Sequence, residues 1–195
     1  EGAEREGASF ARANLAGVDF TGARLAGADL REAVFDETVL QEVDLTGAKL
    51  AGADLSTSRV SDAVLSGADL TKVRLFKANL PKLDLKRARI AGAAFVKTLL
   101  DDLQAPGVDF TGCVLKDATL LRANLEGATL AGVDVHQASF KEANLKGAKM
   151  QRAFGEAVDF AGANLDGADL REARLPSASF AKVTARRLAA DGADL

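Results

Sequence analysis

His136 is the only histidine and Cys113 the only cysteine in this 195-residue chain, so they are the natural places to look for proton transfer or covalent chemistry. A general base needs a nucleophile within hydrogen-bond reach and a group to orient it. The run Asp134-Val135-His136-Gln137 fixes no such partner by spacing. His136 falls at a turn position, where an exposed, solvent-facing side chain is expected. Cys113 stands where Ala recurs elsewhere and reads as a small buried hydrophobe rather than a reactive thiolate. One cysteine also excludes an internal disulfide framework and any multi-cysteine metal site. Several Asp residues precede a large apolar residue, as in Asp19, Asp29, Asp44 and Asp54, an arrangement some calcium-binding β-rolls use. Here basic residues alternate with them at 20-residue spacing and neutralise the oxygen cluster calcium needs. The 18 glycines contain no GxxxxGK[ST] run. No enzyme, no cofactor, no metal site and no small-molecule substrate is expected.

Composition narrows the class. Apolar residues make up 48% of the chain and charged residues 27%, the mix of a folded globular protein, while ten Phe stand beside no Trp or Tyr. A net charge of −3 produces no global field that would favour nucleic acid. No apolar run approaches the length of a membrane span, and the N-terminus lacks the order of a signal peptide. The chain begins with Glu1 rather than Met, which leaves room for a removed leader. A soluble, cytoplasmic protein without a membrane partner is the expectation.

The elements that must position any site follow from a period of five. Calling every residue numbered by a multiple of five the centre, 34 of 39 centres are large and apolar; Arg5, Ala105, Gly155, Ala185 and Ala190 are the exceptions. Two residues earlier stands Ala in 25 cases and Val in seven. Neither a helix of period 3.6 nor a strand of period 2 keeps such positions inward for so long. A unit of two inward residues, one outward residue and a two-residue turn does. Seventeen of the 18 Gly sit two residues after a centre, and Pro81, Pro106 and Pro176 sit one after, as a type II turn requires. Ala105-Pro106-Gly107-Val108 is the clearest turn, so residues 99–108 read as a continuing coil.

Charge decides how many phrases close one lap, because stacked strands about 4.8 Å apart disfavour like charges. Among the outward residues before each centre, a separation of 20 gives nine opposite-charge pairs and no like pairs. A separation of 15 gives three opposite and six like; 25 gives one and eleven. The longest series is Asp29, Lys49, Asp69, Arg89, Asp109, and another is Glu4, Arg24, Asp44. Four phrases therefore make a lap, and nearly ten laps give an all-β rod roughly 47 Å long.

Phrases such as ANLAG, ADLRE, ADLST, ANLEG and ADLSG resemble the A(D/N)LXX consensus of the pentapeptide repeat family, over essentially all 195 residues. The resemblance implies an all-β, right-handed quadrilateral parallel β-helix (β-solenoid) with Leu and Phe centres stacked in columns. Phe140, Phe160 and Phe180, 20 apart, are expected to stack on one wall. Residues 1–195 read as a single domain, expected to be part of a longer polypeptide, and the open ends of such a rod invite end-to-end self-association. Two places strain the pattern. At Phe154-Gly155 the large residue is displaced by one, which predicts a bulge, and residues 184–191 (TARRLAAD) have the composition of a short helix.

Rods of stacked repeats offer long flat walls, which suits a non-enzymatic rigid scaffold or adaptor for protein–protein interaction. The alternative is a DNA mimic: some family members resemble B-form DNA, bind type II topoisomerases such as DNA gyrase, and protect against quinolones. Those members imply a strongly acidic surface. Here residues 72–97 carry eight basic side chains against Asp84 alone. That belt lacks the aromatic interleaving of base-stacking proteins, so direct nucleic-acid binding is not expected. The candidate protein-docking patch is Phe76, Lys77, Val96, Lys97 and Leu99, where two apolar turn residues 20 apart stand beside two cations. The identity of the protein partner is not legible in the sequence.

Overall fold

The computed structural model describes residues 7–195. Each five-residue phrase forms one short extended segment and one turn. Parallel bridges pair each outward residue with the one 20 further on, from Ser9–Asp29 through Asp44–Val64 to Arg174–Asp194. Four phrases thus close a lap of a β-helix. The expected pairing of Glu4 with Arg24 lies outside the described residues. Among those described, the pairs Val64–Asp84 and Arg89–Asp109 are not bridged. The first break lies beside Leu83, which puts a large side chain where Ala usually points inward.

The backbone accounting explains the phrase itself. Leu25 N–H donates to Asp44 O at 2.8 Å, Asp44 N–H to Ala23 O at 3.0 Å, and Gly27 N–H to Thr46 O at 2.8 Å. Ala28 N–H closes the turn on Leu25 O at 3.0 Å. Four amides of five are satisfied this way, and the amide of the first turn residue is left over. The Asp or Asn two residues earlier takes it: Thr46 N–H donates to Asp44 Oδ1 at 2.9 Å, and Lys146 N–H to Asn144 Oδ1 at 3.3 Å. This Asx turn is the physical reason Asp or Asn so often precedes a centre. Where Phe154, Thr119 or Thr184 stands instead, a side chain one lap below substitutes. Glu156 N–H donates to His136 Nδ1 at 3.2 Å, Leu121 N–H to Asp101 Oδ1 at 3.1 Å, and Arg186 N–H to Asp166 Oδ1 at 2.8 Å.

Second turn residues other than glycine also adopt the left-handed conformation, among them Lys97 (φ 56°), Glu142 (φ 55°) and Arg152 (φ 57°). The cost of about 1–2 kcal/mol for a non-glycine residue there is offset by the hydrogen bond its N–H makes to the next lap. Centres and the small residues before them fill the interior. Phe140 and Phe160 stack with centroids 5.4 Å apart, and Phe160 and Phe180 with centroids 5.1 Å apart, as their spacing predicts. Inward hydroxyls and the thiol reach the lap below: Thr38 donates to Leu15 O at 2.9 Å, Thr98 to Leu75 O at 2.6 Å, and Cys113 to Ile90 O at 3.0 Å.

Two expectations are corrected. No bulge forms at Phe154-Gly155. Asp134, Phe154 and Arg174 are bridged in register, and Gly155 N–H donates to Arg174 O at 3.0 Å like any other centre. Phe154 simply points outward, 47% exposed, while half-buried Gly155 takes the centre position. Nor do residues 184–191 form a helix. Thr184 bridges Asn164 and Ala189 bridges Asp169, so the coil continues. The lap below supplies a row of hydrogen-bonding partners that outweighs local helix propensity. Residues 99–108 do continue the coil, with Gln104 bridged to both Asp84 and Asn124.

The ion pairs qualify the charge ladder. Arg74–Asp54 and Arg89–Asp69 close across neighbouring laps, with Arg89 and Asp69 3.4 Å apart. Asp29 instead binds Arg31, whose Nε donates at 2.8 Å, and Asp169 binds Arg171 at 2.9 Å. These hydrogen bonds to arginine hold both carboxyls down at about 2. A carboxyl whose pKa is lower folded than unfolded contributes stability that is present above about pH 4 and lost as pH falls towards about 2. Thermal melts across that window should therefore show stability falling with pH. Asp29→Asn with Asp169→Asn, which keeps both Oδ1 acceptors, should make the acid limb shallower. An unchanged limb would assign acid loss elsewhere.

Candidate docking surface

Phe76 and Val96 are first turn residues on one corner of the rod, and the backbone stacks them directly. Thr57 N–H donates to Phe76 O at 2.9 Å, Lys77 N–H to Val96 O at 3.1 Å, and Lys97 N–H to Lys116 O at 2.9 Å. Phe76 is 40% exposed and Leu99, on the wall that follows this corner, is 43% exposed; Val96 is partly covered. Lys77 lies over the Phe76 ring with its Nζ 5.2 Å from the centroid, a cation–π contact. Lys97 is exposed beside Val96. The structure thus brings the five residues to one corner and the wall beside it.

Sequence reasoning missed how far the surface extends. Ala94 and Val114, bridged neighbours on the preceding wall, continue the small apolar surface, and Lys116 follows Val96 in the turn column. The signal was available in the 20-residue register, because Arg74, Ala94 and Val114 form one column. Val34 and Val64 are also exposed.

The two residues with chemical potential sit elsewhere and are occupied. His136 is half-buried rather than solvent-facing, and its Nδ1 accepts the Glu156 amide, so it acts as the turn cap that Phe154 cannot supply. Cys113 is buried, and burial pushes its thiol up to about 11, far from thiolate chemistry at neutral pH. Surface depressions such as that lined by Ala131, Gly132, Arg152 and Glu172 are open grooves between laps. Among the described residues no helix is long and apolar enough to cross a membrane.

A family model described as pentapeptide repeats matches this chain in eight copies, with residues 6–36, 20–56, 38–76, 56–93, 120–154, 138–175 and 156–195 among the segments matched. No curated protein sequence matches significantly. Among solved structures, the chain is similar to HetL, a pentapeptide repeat protein involved in heterocyst differentiation regulation from the cyanobacterium Nostoc. That similarity has 28% identity and a TM-score of 0.57, and covers 98% of this chain and 91% of HetL. It is also similar to trypsin-treated QnrB1, a plasmid-mediated fluoroquinolone resistance protein, at 16% identity and a TM-score of 0.53, over 90% of this chain and 91% of the other. At 16% identity the likeness speaks to the fold alone.

Proposed function

Because this chain belongs to the pentapeptide repeat family, we propose that it is a rigid, non-enzymatic scaffold that docks a protein partner on the corner carrying Phe76, Lys77, Val96, Lys97 and Leu99. In this reading the chain is one domain, a right-handed quadrilateral β-helix of nearly ten coils. Every inward position serves the core, so partner specificity must reside in outward and turn residues. The observation that carries the reading is the apolar surface of exposed Phe76 and Leu99 and partly covered Val96, edged by Lys77 and Lys97. An apolar centre with a charged rim is the usual anatomy of a protein contact. The cations favour a partner segment that is itself acidic and apolar.

The DNA-mimic alternative, with a type II topoisomerase as partner, finds less support. A mimic of phosphate charge needs an acidic surface, whereas Lys72, Lys77, Lys82, Lys86, Arg87 and Lys97 stand together in this part of the rod. A gyrase supercoiling assay beside a native pull-down separates the two readings. The scaffold reading expects no effect on supercoiling and capture of a different protein.

The corner is tested by Phe76→Ser with Val96→Ser, since neither residue is an inward one. The double variant should keep its Tm and lose its partner in the pull-down by at least about tenfold, as for two central apolar contacts. Unchanged capture would move the docking surface elsewhere.

A further inference from the structure

The corner that carries Phe76 and Val96 changes charge along the rod. Lap by lap it reads Asp36-Glu37, Ser56-Thr57, Phe76-Lys77, Val96-Lys97 and Lys116-Asp117. The acidic end is flanked by Val34 on one wall and Val39 on the other, and the basic end by Ala94 and Leu99 on the same two walls. Asp36, Glu37, Lys97 and Lys116 make no ion pair among the described residues, and Asp36, Glu37 and Lys97 are exposed.

From this pattern we infer that the occupant of the corner is a second copy of the same chain, packed antiparallel; the inference rests on the reading of this corner as a docking surface. A two-fold axis perpendicular to the rods, placed between the Ser56-Thr57 and Phe76-Lys77 laps, makes the surface self-complementary. It sets Glu37 of one copy against Lys97 of the other, Val34 against Ala94, and Val39 against Leu99. One lap inward it sets Asp54 against Arg74 and Ser56 against Phe76, so the two Phe76 rings flank the axis. Every pairing occurs twice, as isologous contact requires. A parallel arrangement would place Lys97 on Lys97 and Glu37 on Glu37, which like-charge repulsion opposes. The contact follows about five to six laps, roughly 24–29 Å of rod. That is a small interface, so the dimer is expected to be weak and salt-sensitive.

The experiment is sedimentation velocity on the intact chain over a range of micromolar concentrations. At low salt the wild type should pass from monomer to dimer, and ~1 M salt, with a screening length of ~3 Å, should shift it back to monomer. Glu37→Lys or Lys97→Glu alone should each weaken dimerisation by about tenfold or more, because two symmetry-related pairs become repulsive. Glu37→Lys combined with Lys97→Glu should restore most of it, since the swapped charges again oppose. Both residue types already occupy this left-handed turn position elsewhere, as Glu142 and Lys182, so the swaps add no new backbone strain. Thermal melts should confirm that all three variants fold. A wild type that stays monomeric throughout, or a double variant as weak as the single ones, overturns the pairing. So does growth beyond dimers that ignores both charges, which would point to the rod ends. If the wild type is monomeric yet captures a partner through Phe76 and Val96, the self-pairing fails and the scaffold reading stands.

Discussion

Gly155→Ala is expected to destabilise the protein by about 3 kcal/mol, an effect out of proportion to one methyl group. Gly155 holds a φ of 152°, a conformation open essentially to glycine alone. A Cβ there would lie 2.4 Å from the His136 backbone nitrogen and 2.7 Å from both His136 Cα and Val135 C. These are backbone atoms of the lap below, so no side chain can swing aside. The cause is packing. Phe154 points outward, Gly155 stands at the centre position, and at its φ a Cβ would be aimed at the Val135-His136 backbone of the neighbouring lap. For a chain of this size the loss corresponds to a fall in Tm of roughly 6–12 °C. Gly167→Ala is the control. Gly167 has an ordinary turn φ of 68° with nothing within 4 Å of its added Cβ. It should cost only the ordinary left-handed penalty of about 1–2 kcal/mol. Equal effects at the two sites in urea denaturation would refute the close-packing account.

Phe160→Ala should cost about 3–5 kcal/mol. Its fully buried ring lies between Phe140 and Phe180, nearly parallel to both, with interplanar angles of 9° and 15°. Removing it deletes two stacking contacts and leaves a cavity that rigid neighbouring laps cannot collapse to fill. Because each lap touches only its neighbours, the damage should stay local. Hydrogen exchange should show amides around residues 140–180 losing protection while those around 40–60 keep theirs. Phe160→Leu, which retains most of the volume, should recover more than half of the loss. A uniform loss of protection along the rod would contradict nearest-neighbour stability.

How much of this was legible beforehand depends on whether a feature repeats. The candidate docking corner stands out in the sequence because Phe76 and Val96 put apolar residues at the same point of two successive laps, at a turn position where small or polar residues are usual. Its extension to Ala94, Val114 and Lys116 needed the walls to be laid side by side. The role of His136 was not legible. It depends on Phe154 failing to cap an amide 20 residues away from the imidazole, and nothing local to His136 announces that.

The sequence by itself determined the five-residue unit, the inward and outward positions, and the four-phrase lap. A solenoid is nearly one-dimensional, so each residue's neighbours lie at fixed separations in the chain, and the signs of Asp29, Lys49, Asp69 and Arg89 report the lap even where the side chains do not touch. Only the tertiary structure decided which contacts form. Asp29 is in reach of both Arg31 and Lys49, and takes the arginine two residues away because its fork fits the carboxylate. The run at 184–191 has helical composition, yet the lap below, already built, offers Ala163 O to the Thr184 amide and Ala168 O to the Ala189 amide, both at 3.0 Å. An extended chain can use those acceptors and a helix cannot, so the template prevails over local propensity.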